Sequence, residues 1–122
     1  MATRSQVFDF VRNKYRHEVV GDFTLKVDFE ADGSRHQALY AHVTDTEMQV
    51  TSPFAWQSKV GADKVFATHS SMFGVVTVNG AWALKHNVLI ADIDESEIVV
   101  AFDTLAAHAD ALESALGFED VF

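Results

Sequence analysis

The sequence predicts an α+β domain: a five-stranded antiparallel sheet with helices packed on it, in the order α-β-β-β-α-β-β-α. Three observations carry that prediction. Residues 23–30 alternate apolar and polar side chains, the period of two of a half-buried strand, and a second strand follows near 36–44. Asn79-Gly80 separates two further strand-like runs, the strongest short hairpin signal a sequence offers. Ile98, Phe102, Leu105, Ala109, Leu112 and Leu116 recur at intervals of 4 and 3, which stacks them into one stripe of an α-helix. At 122 residues the chain reads as one domain, 1–122, able to bury about two-thirds of its unfolded surface without disulfide staples.

The elements follow in order. A first helix is expected near 3–16. Thr3 with Gln6 three residues later is a capping-box signature, and Phe8, Val11 and Tyr15 share one face. Arg12, Lys14 and Arg16 crowd its C-terminal end, where cations suit the helix dipole, and Gly21 stops it. Phe23, Leu25, Val27 and Phe29 then form the apolar face of a strand, which Ala31-Asp-Gly-Ser34 turns into the next. That strand sets Leu39, Ala41 and Val43 against Ala38, Tyr40 and His42 on the other side. A third short strand follows around Met48 and Val50, completing a meander. Residues 52–59, which hold the only proline, Pro53, show the least pattern and are expected to connect the two halves. A second helix is expected near 60–71, with Val60, Val65, Phe66 and His69 on one side, although Gly61 and the β-branched residues disfavour it. Residues 73–78 and 81–90 form the hairpin. The last helix starts at an Asp94 cap with Glu97 and ends at Gly117, its outer face carrying Asp103, Asp110 and Glu113 with no Lys or Arg.

Composition excludes several classes of function. No cysteine is present, so disulfides, thiolate metal sites and cysteine nucleophiles are ruled out. A net charge of −9 repels phosphate backbones and anionic lipid, so neither nucleic acid nor membrane is an expected partner. No run approaches the roughly 18 apolar residues of a membrane span, and charges interrupt the N-terminal apolar run before a signal-peptide core forms. A soluble, cytoplasmic protein is the expectation.

Candidate chemistry is thin. Of the six histidines, no pair has the i, i+4 spacing of a zinc helix. His36 and His42 share a strand face with Tyr40, but six residues of strand span roughly 20 Å, too far for one ion. His86 would meet His42 only if their strands pair suitably. The acidic run from Asp92 to Glu97 lacks the twelve-residue spacing of an EF-hand and reads as helix capping. His69-Ser70-Ser71 with Ser52 has no Gly-x-Ser-x-Gly elbow, and no glycine-rich phosphate loop occurs. No catalytic residue, metal ligand or cofactor is expected, and the chain reads as a non-enzyme.

Aromatic residues outside the patterned elements carry the alternative. Phe54 and Trp56 lie in the connection, and Phe118 and Phe122 follow the last helix. They either fold back to cap a small core or stand out as interface anchors. A second possibility is a ligand pocket or active site between sheet and helices, lined by Tyr40, His42, Trp82 and His86. A third is dimerisation through the seam of residues 98–116, although three turns are short for a free coiled coil and the stripe is expected to face its own sheet.

The order of elements resembles the type III secretion chaperone-like fold, including the YbjN group that shares it. The likeness is densest over residues 74–117. There Gly74-Val-Val-Thr-Val-Asn-Gly leads into a long strand, then Ile90-Ala-Asp-Ile-Asp-Glu-Ser-Glu, then an amphipathic helix ending in Leu116-Gly117. Small size, low pI and an acidic C-terminal helix fit the same group. The resemblance implies a dimeric chaperone or adaptor: a homodimer that binds an extended segment of a client protein. The first strands lack the continuous apolar surface of a dedicated effector chaperone, so the general fold is expected rather than a secretion role.

Overall fold

A computed structural model describes residues 2–30, 36–69 and 72–117. Its elements are α1 (Arg4–Lys14), β1 (His17–Gly21), β2 (Thr24–Glu30), β3 (His36–Val43), β4 (Glu47–Trp56), α2 (Ala62–Thr68), β5 (Gly74–Val78), β6 (Ala81–Leu89) and α3 (Glu95–Ala115). The strands form one antiparallel sheet in the order β1-β2-β3-β4-β6-β5. The α+β class holds, with six strands rather than five.

The additional strand is β1. The first helix ends at Lys14, because the Tyr15 backbone is already extended (φ −116°, ψ 149°). The chain then enters β1, which pairs only with β2 and has all five residues exposed. A strand exposed at all five positions has no dry face to impose alternation, so Val19-Val20 gives no period to read. The β1–β2 turn places Phe23 at φ 49°, a conformation an aromatic residue rarely takes. Packing holds it there: the Phe8 ring lies 5.1 Å away and the Arg4 guanidinium 3.9 Å above the Phe23 ring. Arg4 Nε also donates to the Val43 carbonyl at 2.8 Å, tying α1 to the sheet.

The segment expected as a connection is the second half of a long strand. β4 runs ten residues through Pro53, and its core-facing positions Met48, Val50, Ser52 and Phe54 alternate after all. Proline has no N–H for the ladder, and it is accommodated here at a bulge between Pro53 and Ala55. The second helix is shorter than expected, 62–68 against 60–71. It buries Val65 but leaves Phe66 58% exposed, edge-on to Trp82. The turn expected at 31–34 lies outside the described residues.

Three features match their sequence signals. Thr3 and Gln6 form the capping box, with the Thr3 hydroxyl accepting from the Gln6 N–H and the Gln6 side chain accepting from the Thr3 N–H. Asn79 and Gly80 both have positive φ (49° and 83°), as a type I′ hairpin requires. The stripe from Ile98 to Leu116 is buried throughout and packs α3 across β3, β4 and β6. Glu113 departs from expectation, being fully buried rather than on the solvent face with Asp103.

Both long helices lie on the same face of the sheet. Val7 and Val11 of α1 and Phe102 and Leu105 of α3 meet Leu25, Val27, Leu39 and Val50 in a single core. Among the described residues, no helix lies on the other face.

Candidate functional site: the helix-free face of the sheet

Strand alternation decides which side chains reach the bare face. Register fixes the set. Tyr40 pairs with Thr51, and Thr51 with Lys85, so these three share one side; Ala41, Val50 and His86 share the other. Likewise Lys26 pairs with Tyr40, Asp28 with Ala38, and Pro53 with Ala83, all on the side away from α3.

The bare face has two unlike ends. One is polar: Thr24, His42, Gln49 and Asn87 lie side by side across four strands. Their hydrogen bonds are made locally, Thr24 Oγ1 to His42 Nδ1 at 2.6 Å and Gln49 Nε2 to Glu47 Oε1 at 2.8 Å. The other end is a trough of ≈ 940 Å³. Its floor is made of small residues, Ala38, Pro53, Ala81 and Ala83, and its apolar walls include Tyr40, Trp56, Val20 and Val78. An uncovered antiparallel face is ordinarily polar. Here Trp56 is 46% exposed and Val78 38%.

A backbone irregularity aims Trp56 at this face. Without interruption, the run Met48, Val50, Ser52, Phe54 would carry residue 56 into the core. The bulge inserts one residue, so Ala55 pairs with Trp82 on the covered side and Trp56 emerges beside Ala81 on the bare side. A bulge leaves ladder groups without partners, and a buried brace supplies them. Gln37 Nε2 donates to Ser52 Oγ at 2.9 Å and to the Pro53 carbonyl, while Ser52 Oγ donates to the Ala38 carbonyl at 2.8 Å. Gln37 and Ser52 are fully buried, so this polar cluster lies directly beneath the trough.

The residues singled out from the sequence separate accordingly. Trp56 stands on the bare face, but Phe54, expected with it as a partner-binding anchor, is fully buried in the core. It belongs to the alternating face of β4 that a loop reading concealed. Phe118 and Phe122 lie outside the described residues. The four-residue pocket does not assemble: Tyr40 and His42 are on the bare face, whereas Trp82 and His86 are on the helix-covered face. Trp82 donates its indole N–H to the Val60 carbonyl at 3.0 Å. His86 meets Phe73 edge-on at 5.2 Å, and His108 approaches the same ring at 5.3 Å. The sheet therefore keeps His86 and His42 apart.

Ionisable groups elsewhere have structural partners. His36 Nδ1 lies 3.2 Å from Asp28 Oδ1. Asp94 caps α3, accepting from the Ser96 hydroxyl at 2.7 Å and the Glu97 N–H at 2.9 Å. Those hydrogen bonds, the Ser96 bond foremost, hold its carboxyl below the usual range. On the covered side, burial and then the nearby Asp103 charge push the Tyr15 phenol up to about 12. Among the described residues, no three His, Asp or Glu side chains converge on a point that could hold a metal ion. No described helix is long and apolar enough to cross a membrane.

What sequence reading missed is the floor of the trough. Ala81 and Ala83 alternate with Trp82 and Leu84, a legible strand pattern, but small residues on the outward parity read as neutral filler. The trough becomes visible only when β4 and β6 are placed side by side. Compared with known proteins, the chain matches no protein-family model, no curated protein and no solved structure.

Proposed function

We propose that this chain is a non-enzymatic protein-binding module, chaperone- or adaptor-like, whose contact surface is the helix-free face of the sheet. One observation carries the reading: an uncovered face with an apolar, small-residue floor and a half-exposed tryptophan that a braced bulge turns outward. Aromatic anchors beside shallow apolar floors are typical of protein contact surfaces. Part of this proposal is the resemblance to the type III secretion chaperone-like and YbjN group, from whose expected element order the chain departs by one strand. The chain contains α-β-β-β-α-β-β-α with one strand, β1, inserted after the first helix. The small-ligand or enzyme reading retains only the bare-face pair Tyr40 and His42, and the latter already bonds Thr24.

The test separates association from stability. Trp56→Ala is expected to weaken association with a protein partner at least tenfold. Because about half of the side chain is buried, it should cost about 1–2 kcal/mol of folding stability, less than truncation of a fully buried ring. Unchanged association, or a small molecule retained by the purified protein in native mass spectrometry, would contradict the reading.

A further inference from the structure

The rim of the trough carries a reaction of its own. Asn79-Gly80 forms the β5–β6 turn, and Asn79 lines the trough beside Val78 and Ala81. Of the three asparagines, Asn13, Asn79 and Asn87, only Asn79 precedes a glycine. Asp-Gly or Gly-Gly would serve a type I′ turn as well, so the turn alone does not call for a side-chain amide. Asn79 and Gly80 are both exposed, and among the described residues neither the Asn79 carboxamide nor the Gly80 N–H has a hydrogen-bond partner. Nothing described lies within 4 Å of where a Cβ on Gly80 would stand. The other two sites are closed. Lys14, after Asn13, holds its N–H in the α1 ladder, and Val88, after Asn87, is β-branched and pairs with Met48 in the sheet.

From this we infer that Asn79-Gly80 is a self-modifying site, which converts to aspartate and isoaspartate with water as the only co-reactant and thereby disables one end of the contact surface. The Gly80 backbone nitrogen attacks Cγ of Asn79. The new N–Cγ bond closes a five-membered succinimide, the Cγ–Nδ2 bond breaks, and Nδ2 leaves as ammonia with the proton that Gly80 gives up. The ring joins groups already adjacent in the chain, so proximity alone supplies the catalysis. Water then opens the ring. Cleavage of the N–Cγ bond gives aspartate at position 79, whereas cleavage at the peptide carbonyl gives isoaspartate, whose main chain runs through Cβ and Cγ. Nothing is oxidised or reduced.

Either product changes the trough. Aspartate sets a carboxylate beside Val78 and Ala81 on an apolar rim. Isoaspartate lengthens the main chain at a turn built on φ values of 49° and 83°. That shift displaces the Gly80 carbonyl, which accepts the Gln57 N–H at 2.9 Å. Gln57 directly follows Trp56, so this bond ties the turn to the aromatic anchor. The effect on association rests on the protein-binding reading, whereas the modification stands without it.

Ageing the full chain at physiological temperature and mildly alkaline pH, followed by peptide mapping in a mass spectrometer, tests this. Isoaspartate is scored by enzymatic carboxyl methylation. Conversion at Asn79 should be about tenfold or more faster than at Asn13 and Asn87, whose following amides must first break a hydrogen bond. Both products should appear at 79, at a rate that rises with hydroxide. Asn79→Gly keeps a pair suited to the turn and should show no ammonia release from this site, with an unchanged circular dichroism spectrum. Amide exchange at Gln57 should accelerate in the aged wild-type chain and not in aged Asn79→Gly, while exchange at Val43, bonded to the Phe23 carbonyl, stays constant in both. Conversion at Asn79 no faster than at Asn13 and Asn87 would overturn the inference. So would conversion that leaves exchange at Gln57 unchanged, since the turn would then be uncoupled from the contact surface. The protein-binding reading fails separately, in the Trp56→Ala association test, and that failure leaves the rates at Asn79 as they are.

Discussion

The two faces of this sheet are built from the same strands yet differ in what they require of their side chains. On the covered face the alternating positions are large and branched, Leu25, Val27, Leu39, Val50 and Phe54, and two helices seal them from water. On the bare face the corresponding positions at one end shrink to Ala38, Pro53, Ala81 and Ala83. Pro53, Ala81 and Ala83 are themselves buried there, low between larger neighbours of the same face. Small side chains lower the surface there, and the bulge in β4 raises Trp56 beside it. The difference teaches that the covered face explains why the chain folds, whereas the bare face carries the contact surface proposed above.

Substitutions that treat the faces unequally put this comparison at risk. The largest effect is expected at Phe54, where truncation to Ala should cost about 3–5 kcal/mol in denaturant unfolding, since the ring is fully enclosed. Two residues along, Trp56→Ala should cost clearly less in the same measurement, about 1–2 kcal/mol, since half of that side chain is already in water. Equal losses at the two positions would erase the distinction between the faces.

The brace beneath the trough comes next. Ser52→Ala removes the bond to the Ala38 carbonyl and one of the two acceptors of Gln37, at an expected loss of about 1–2 kcal/mol. If the brace also holds the bulge, amide exchange at Phe54 and Ala55 should accelerate in that variant while exchange in β2 stays unchanged.

A smaller effect sharpens the account of the covered face through its protons. The folded state holds the Tyr15 phenol up to about 12, against 10.0 when unfolded. Below pH 10 neither state is ionised at this group, and its contribution to stability is fully present. As pH rises through 10 toward 12, the unfolded chain ionises first and that contribution is lost. Tyr15→Phe should therefore flatten the alkaline fall in stability across this window. An unchanged alkaline limb would show that the phenol is not shielded as described.

The legibility of this fold in its sequence follows burial. Elements with one dry face announced themselves: β2 and β3 by alternation, α3 by its stripe, the hairpin by Asn79-Gly80. β1 touches no core and left no period. Phe54 and Trp56 read alike as loop aromatics because Pro53 reads as a breaker, and the bulge makes neighbours of like character face opposite ways. Pairing Tyr40 and His42 with Trp82 and His86 assumed one shared face. Strand parity is readable within a strand, but which parity faces the helices in the next strand depends on register, a property of the assembled sheet. The trough was illegible for the same reason, since its floor draws on β3, β4 and β6 together.

The most direct measurement of the central claim uses the absence of cysteine from this chain. Single thiols placed by Thr51→Cys, on the bare face, and Ser114→Cys, on the exposed side of α3, would be timed against a bulky maleimide, with the chain alone and with the protein partner of the association test in excess. The account predicts that the thiol at position 51 reacts at least tenfold more slowly with the partner, with the rate at 114 unchanged. Equal rates for the thiol at 51 with and without the partner, or protection of the thiol at 114 instead, would contradict it.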